Sequence, residues 1–158
     1  MSAQNDIVLR RFAPDDLAQV VAVEDSVYAS AGYRAIFFRQ LYDLAPSLLW
    51  VAVDDSRVVG HLCCALAAGG SPGWILNLAV LAHYRRQGIG RRLLEKGVEQ
   101  LRAAGVDRIM ITAEAENSTA QRLYRKLGFE LVGTGENYYG DGNDRAIFEA
   151  RVQVEERE

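Results

Sequence analysis

The apolar positions of this chain change period several times, and each change marks an element. Residues 7–12, IVLRRF, mix apolar and polar side chains as a first strand does. Pro14 and Asp15 then open a helical pattern running to about Ser26, since proline suits the first turn, where its missing N–H is not needed. YRAIFFRQLYDL (33–44) has apolar residues at helical spacing and stops before Pro46. LLWVAVD (48–54) and VVGHLCCALA (58–67) are apolar strands joined by a DDSR turn into a hairpin. GGSPG (69–73) turns the chain into the run WILNLAVL (74–81).

Beyond Gly90 the period becomes helical. Leu93, Leu94, Gly97, Val98 and Leu101 share one face, and Arg91, Arg92, Glu95, Lys96, Glu99 and Arg102 take the others, up to Gly105. DRIMITA (107–113) is the next strand. Asn117 is a good helix cap, with Ala120, Leu123, Tyr124 and Leu127 as the apolar stripe and Gly128 as the stop. FELVGTG (129–135) and RAIFEARV (145–152) close the chain as strands. The order β-α-α-β-β-β-α-β-α-β-β predicts an α/β fold: one mixed, mostly antiparallel sheet of about seven strands with helices on both faces. With no repeat, low-complexity run or linker, residues 1–158 read as a single domain.

Composition narrows the partners. Hydrophobic residues make up 49% and charged residues 25% of the 158, with a formal net charge of −3. That is ordinary for a globular chain and gives no bulk affinity for nucleic acid, so any basic site must be local. No apolar run approaches the ~18 residues of a membrane helix, and the first ten residues lack the pattern of a signal peptide. Cys63 and Cys64 are adjacent, with no CxxC or Cys/His cluster, so neither a metal site nor an ordinary structural disulfide is expected. A cytoplasmic protein with no metal and no membrane partner follows as the expectation.

Positive charge does gather at one point. YRRQGIGRRLLEKG (84–97) sets Gly88 and Gly90 among Arg85, Arg86, Arg91 and Arg92 where a strand passes into a helix. The first amides of a helix lack intrahelical partners and carry partial positive charge, and glycine lets a ligand approach them. The two familiar nucleotide patterns both fail: Gly90 is followed by Arg-Arg rather than Lys-Ser/Thr, and Leu93 stands where a dinucleotide loop needs a third glycine. On spacing alone a capped surface helix with an Arg91–Glu95 pair fits as well.

The segment RRQGIG (85–90) resembles the R/Q-x-x-G-x-G/A signature of the GNAT superfamily of N-acetyltransferases, and NSTAQRLYRKLGF (117–129) is similar to that family's N-x-x-A-x-x-L-Y-x-x-x-G-F helix. Both stand in the family's order, within a matching sequence of elements. The resemblance implies a GNAT fold and acetyl-coenzyme A as cosubstrate. Backbone amides of Gln87, Gly88, Ile89, Gly90 and Arg91 would meet its pyrophosphate, and Arg85 and Arg86 would shape the loop or approach phosphate. Leu78 and Val80 would present strand backbone to the pantetheine arm and thioester, and Asn117 would also touch the cofactor. Tyr124 matches the tyrosine that protonates the leaving thiolate in many members.

Within the family the chain is most like the RimI-type and archaeal protein N-terminal acetyltransferases. Those place a glutamate twelve residues before the motif tyrosine, and here that position is Thr112, which cannot take a proton at neutral pH. Glu114 follows with the same side-chain parity and is the candidate base; Glu24 and Asn77 are candidates for the acceptor side. ENYYGDGNDRAIF (136–148) resembles the family's Tyr-Tyr…Asp-Gly…Asp-Ala stretch, which makes Tyr138 and Tyr139 candidate acceptor contacts. The loop after the first helix departs from the family, with VYASAGYRAIFF in place of Phe-Pro and Trp.

The expected activity is acetyl transfer to a protein or peptide N-terminal α-amine by direct attack, by a monomer or homodimer. The alternatives are a small-molecule amine such as a polyamine, amino acid or antibiotic, and a non-catalytic acyl-coenzyme A-binding module.

Overall fold

The computed structural model describes residues 6–153. Its strands are β1 (Val8–Arg11), β2 (Leu49–Asp54), β3 (Arg57–Leu66), β4 (Gly73–Val80), β5 (Arg108–Glu114), β6 (Glu130–Gly135) and β7 (Arg145–Arg151). Its α-helices are α1 (Leu17–Tyr28), α2 (Ala35–Leu44), α3 (Ile89–Ala103) and α4 (Ser118–Lys126). The element order is the one the periodicity predicts. Boundaries move by a residue or two: Pro14–Asp16 is a 3-10 turn ahead of α1, and α1 runs on to Tyr28.

The seven strands form one sheet in the order β1-β2-β3-β4-β5-β7-β6. All neighbours are antiparallel except β4 and β5. The last hairpin places β7, not β6, beside β5, so the C-terminal strand lies inside the sheet.

Alternation along the strands feeds two cores. Ile75, Ile109, Ile111, Phe148 and Leu62 pack on one face against Leu93, Leu94 and Leu101 of α3 and Tyr124 of α4. Val51, Val53, Val58 and Cys63 pack on the other face with Val20 and Val23 of α1 and Phe38 and Leu41 of α2. The adjacent cysteines are free and point to opposite cores, as strand neighbours must. Burial pushes the Cys64 thiol up to about 12.

One irregularity interrupts the centre of the sheet. On β3–β4, Cys63 faces Asn77 but Cys64 faces Ile75, so Leu76 is an extra residue on β4. Before it, Ile75 points to the α3 core; after it, Leu78 and Val80 point there and Asn77 and Ala79 turn toward α1 and α2. The parallel pairing of β4 with β5 runs only from Gly73–Ile109 to Ile75–Ile111, and it ends where the bulge begins. β5 stays with β7 as far as Glu114, opposite Arg145. A cleft therefore opens between the second half of β4 and the end of β5.

The helix that starts at this cleft is pressed close to the sheet. A Cβ at Gly97 of α3 would stand 2.6 Å from Leu62 Cδ2 and 3.1 Å from Cys64 Sγ. Both are fully buried and have nowhere to retreat. Gly97→Val is expected to cost about 2 kcal/mol or more in a urea melt through overpacking, whereas Gly97→Ala should cost less, because roughly 1 kcal/mol of helix propensity offsets the clash.

Candidate active site

The strand backbone in the cleft has a fixed orientation. The Leu81 amide donates to the Val59 carbonyl of β3 at 2.9 Å. Amide and carbonyl directions alternate along a strand, so Ala79 and Asn77 also address β3, while Leu78 and Val80 address the gap that β5 has left. Two side chains reach their carbonyls from outside the sheet. The Tyr28 hydroxyl, at the end of α1, donates to Leu78 O, and Arg85 Nε donates to Val80 O at 3.3 Å.

Directly after β4 the chain forms a 3-10 turn, Ala82–Tyr84, pinned by the Tyr84 hydroxyl donating to Asp54 Oδ2 at 2.6 Å. The loop then takes two left-handed residues, Arg86 (φ 63°) and Gly88 (φ 77°). Gly88 caps α3, and the first amide bonded back within the helix is that of Arg92, to Gly88 O at 3.0 Å. The amides of Ile89, Gly90 and Arg91 thus have no intrahelical partner. A Cβ at Gly88 would meet nothing within 4 Å, and one at Gly90 would meet only Val80 Cγ2 at 3.9 Å, so the space over these amides is open. The Ile89 side chain goes the other way, into the α3 core. Arg91 pairs with Glu95 at 2.9 Å and Gln87 Nε2 donates to His83 O at 3.4 Å; both are surface contacts that leave the amides uncovered. The capped helix with its Arg91–Glu95 surface pair is present, and it leaves the amides at its start open.

Across the gap stands α4. Asn117 caps it, its Oδ1 accepting from the Ala120 amide at 3.1 Å. Tyr124 is 7% exposed, its ring against Phe148 and Phe129. Its hydroxyl bonds no described residue and is not sealed from solvent. Desolvation, with the Tyr28 phenol adding to it and the Arg145 charge opposing it, raises the Tyr124 phenol to about 12. Tyr124 therefore holds its proton throughout the physiological range.

Beneath the cleft lies a sealed polar cluster. Glu24 of α1 is 1% exposed. Asn77 Nδ2 donates to both of its oxygens, at 2.9 and 3.1 Å, and the Tyr33 amide donates at 3.2 Å. His61 Nε2 lies 3.1 Å from Glu24 Oε2, off the line of a good hydrogen bond. Sequence reading put Glu24 and Asn77 on the acceptor side as contacts. In the structure Asn77 Nδ2 and Glu24 tie α1 to β4 below the opening, and Asn77 Oδ1 is buried with no partner among the described residues.

The far rim is built from β5, β7 and the loop between β6 and β7. β5 does continue through Glu114, so Thr112 and Glu114 share a face; Glu114 lies at the exposed strand end. Thr112 Oγ1 is 3.1 Å from the Tyr139 hydroxyl and accepts from Arg145 Nε and Nη2 at 3.2 and 3.1 Å. Tyr138 and Tyr139 are exposed and meet edge to face. Two members of this site escaped the sequence reading. Tyr28 is one helical turn beyond Glu24, and Arg145 is the cross-strand partner of Glu114. Both spacings are visible in the sequence, but nothing there says which strands separate.

Among the described residues no group of three or more His, Cys, Asp or Glu could hold a metal ion. No helix among them is long and apolar enough to cross a membrane.

A cleft between splayed parallel strands, with open helix amides at one end and a protonated tyrosine at its side, is the architecture of an acyl-coenzyme A-dependent acyltransferase. The sequence profile of the acetyltransferase (GNAT) family matches residues 16–129, and the chain belongs to that family. It is an acetyl-coenzyme A-dependent N-acetyltransferase. It is 29% identical over 150 residues to an N-alpha-acetyltransferase of Saccharolobus solfataricus, covering 88% of this chain and 89% of that one. With a putative [ribosomal protein bS18]-alanine N-acetyltransferase of Bacillus subtilis it shares 26% identity over 139 residues, 88% of this chain and 91% of the other. The crystal structure of Ard1 from Thermoplasma volcanium superposes with a TM-score of 0.85 at 23% identity, over 94% of this chain and 99% of that one, a likeness of fold.

The buried cluster gives a measurable expectation. Asn77→Ala removes both side-chain donors from a sealed carboxylate, and hydrogen bonds to charged groups contribute roughly 1.5–3 kcal/mol. Urea unfolding should show a loss of about 2–3 kcal/mol, against about 1 kcal/mol for removal of the exposed helix cap in Asn117→Ala.

Proposed function

We propose that this enzyme acetylates the α-amine of a protein or peptide N-terminus, and that the cleft between β4 and β5 is where it does so. The observation that carries the reading is the strand edge at Leu78 and Val80 that β5 leaves unpaired, rimmed on its far side by exposed tyrosines rather than by a closed acidic pocket. The relatives that match over most of their length, an N-alpha-acetyltransferase and a putative bS18-alanine N-acetyltransferase, support it.

Acetyl-coenzyme A supplies the acetyl group as a thioester together with the pyrophosphate that anchors it. The open amides at Gln87 through Arg91 suit that pyrophosphate, because unpaired helix N–H groups and the macrodipole favour negative charge there. Arg86 and Arg85 add positive potential at the loop. The backbone of Leu78 and Val80 suits the pantetheine amides and the carbonyl oxygen on which charge develops. Asn117 holds the start of α4, and so the place of Tyr124.

Tyr124 faces the leaving sulfur as a donor. Full proton transfer from an acid at about 12 to a thiolate whose thiol has a pKa near 8.5 is uphill by roughly 5 kcal/mol. A hydrogen bond that strengthens as charge develops is the lower-cost contribution.

Thr112 bears on the acceptor. A lysine of pKa ~10.4 costs roughly 4–5 kcal/mol to deprotonate at pH 7, an α-amine only about 1 kcal/mol. A site with Thr112 where the family resemblance leads one to expect a carboxylate, and with Glu114 only at its exposed edge, suits the amine that needs less help.

Thiol release from acetyl-coenzyme A, measured against a panel of peptides and small amines, tests the reading. Peptides with free N-termini should react, and the same peptides blocked at the N-terminus but carrying lysine should not. A polyamine or antibiotic that reacts while no N-terminus does would overturn it. In the same assay Tyr124→Phe should lower kcat by about 10- to 100-fold, with the KM for acetyl-coenzyme A changed by no more than a few-fold. Gly88→Val, which fills the cradle and strains a left-handed residue, should weaken acetyl-coenzyme A binding at least about tenfold by calorimetry while the thermal melt falls only modestly.

A further inference from the structure

Arg145 is a cation at the acceptor rim, and among the described residues no carboxylate lies within ion-pair distance of it. It stands directly across from Glu114 on β5, yet its side chain leans past that residue to Thr112. Nε and Nη2 both go to Thr112 Oγ1, and Nη2 also reaches Thr112 O at 3.4 Å. Nη1 bonds no described residue. The loop acids do not pair with it: Asp144 Oδ1 accepts from the Asn137 amide at 3.0 Å, and Asp141 Oδ1 accepts from the Asn143 amide at 2.9 Å, a bond that lowers the Asp141 carboxyl with the Arg145 charge helping from a distance. Among the described residues no ion pair includes Arg145.

The guanidinium is also held in one place. Its Cζ lies 5.2 Å from the centroid of the Tyr139 ring, whose hydroxyl shares Thr112 Oγ1 with it. Burial raises the phenols of Tyr28, Tyr33 and Tyr124, and the Arg145 charge opposes the rise in all three. The charge is thus felt at Tyr28, which sits on the Leu78 carbonyl, and at Tyr124 across the gap. A fixed, partly desolvated and unpaired guanidinium at the place where the acceptor must come is a carboxylate receptor, since its free edge presents parallel donors.

We propose that Arg145 recognises a carboxylate carried beside the reacting amine, so that the preferred acceptor is an N-terminus whose first residue is Asp or Glu. This rests on the N-terminal reading of the acceptor and narrows it. A free amino acid presents the same pair of groups and is the other source of that chemistry. Thr112 has a specific part in the arrangement: its hydroxyl steers the guanidinium toward the cleft, where a carboxylate at position 112 would pair with Arg145 and cancel it.

The experiment compares kcat/KM for two peptides differing only in a first residue of Glu or Gln, and for free glutamate and glutamine, with wild-type enzyme and with Arg145→Gln and Arg145→Lys. The Glu-first peptide should be favoured at least about tenfold, a factor one charge-assisted hydrogen bond supplies. That preference should shrink as salt is raised, fall to about one in Arg145→Gln, and partly return in Arg145→Lys. Thermal melts and acetyl-coenzyme A affinity identify a variant that has merely lost its fold, and the wild-type ratio with its salt dependence decides without any variant. Equal rates for the two peptides overturn the carboxylate assignment and leave the N-terminal reading standing. Reaction of free glutamate but of no peptide, with the same Arg145 dependence, overturns the N-terminal reading, and the assignment of Arg145 stands. Silence from all four amines overturns both.

Discussion

A single extra residue, Leu76, sets the geometry on which this enzyme depends. Without it β4 would run straight beside β5, and every amide of both strands would be consumed in the sheet. With it, pairing stops at Ile75 and Ile111, and the polar backbone of Leu78 and Val80 is left facing a gap. Unpaired strand backbone is costly to bury and useful to expose only where a ligand completes it. The bulge also reverses the parity of β4, so that Asn77, not an apolar residue, turns toward α1 and meets Glu24.

That buried pairing explains how the sheet tolerates being opened at its centre. β4 loses a strand neighbour on one side, and α1 compensates from the face. Glu24 accepts from Asn77 and from the Tyr33 amide, and Tyr28, one turn on, caps the Leu78 carbonyl. A carboxylate with 1% exposure is tolerable only because donors converge on it. The same α1 residues therefore hold the cleft open and fix its floor.

The two ends of the cleft obey different electrostatics. At the α3 end, positive potential comes from backbone amides and flanking arginines, and its position is set by the close seating of Gly97 on the sheet. At the rim, it comes from one side chain, Arg145, whose direction is set by Thr112 and Tyr139. Because position 112 carries a hydroxyl and not a carboxylate, the guanidinium it holds keeps its charge at this point of the rim.

Much of this was legible in the sequence, because it rests on short-range rules. Period changes gave every strand and helix in order; Asn117 and Gly128 bounded α4; Gly88 and Gly90 marked bare amides at the start of α3. The α4 stripe also carried Tyr124 to a buried position beside the cleft. What lay beyond reach was set by register and by contacts between residues far apart in the chain. The Leu76 bulge is a mismatch between two strands and has no signature in either one. The inward turn of Glu24, fifty-three residues from Asn77, the seating of Tyr28 on Leu78, fifty residues on, and the lean of Arg145 to Thr112 rather than to Glu114 opposite each needed the sheet assembled first. Local pattern determines which elements form and which side of each is apolar. Only their packing decides which polar groups find one another and which are left for a substrate.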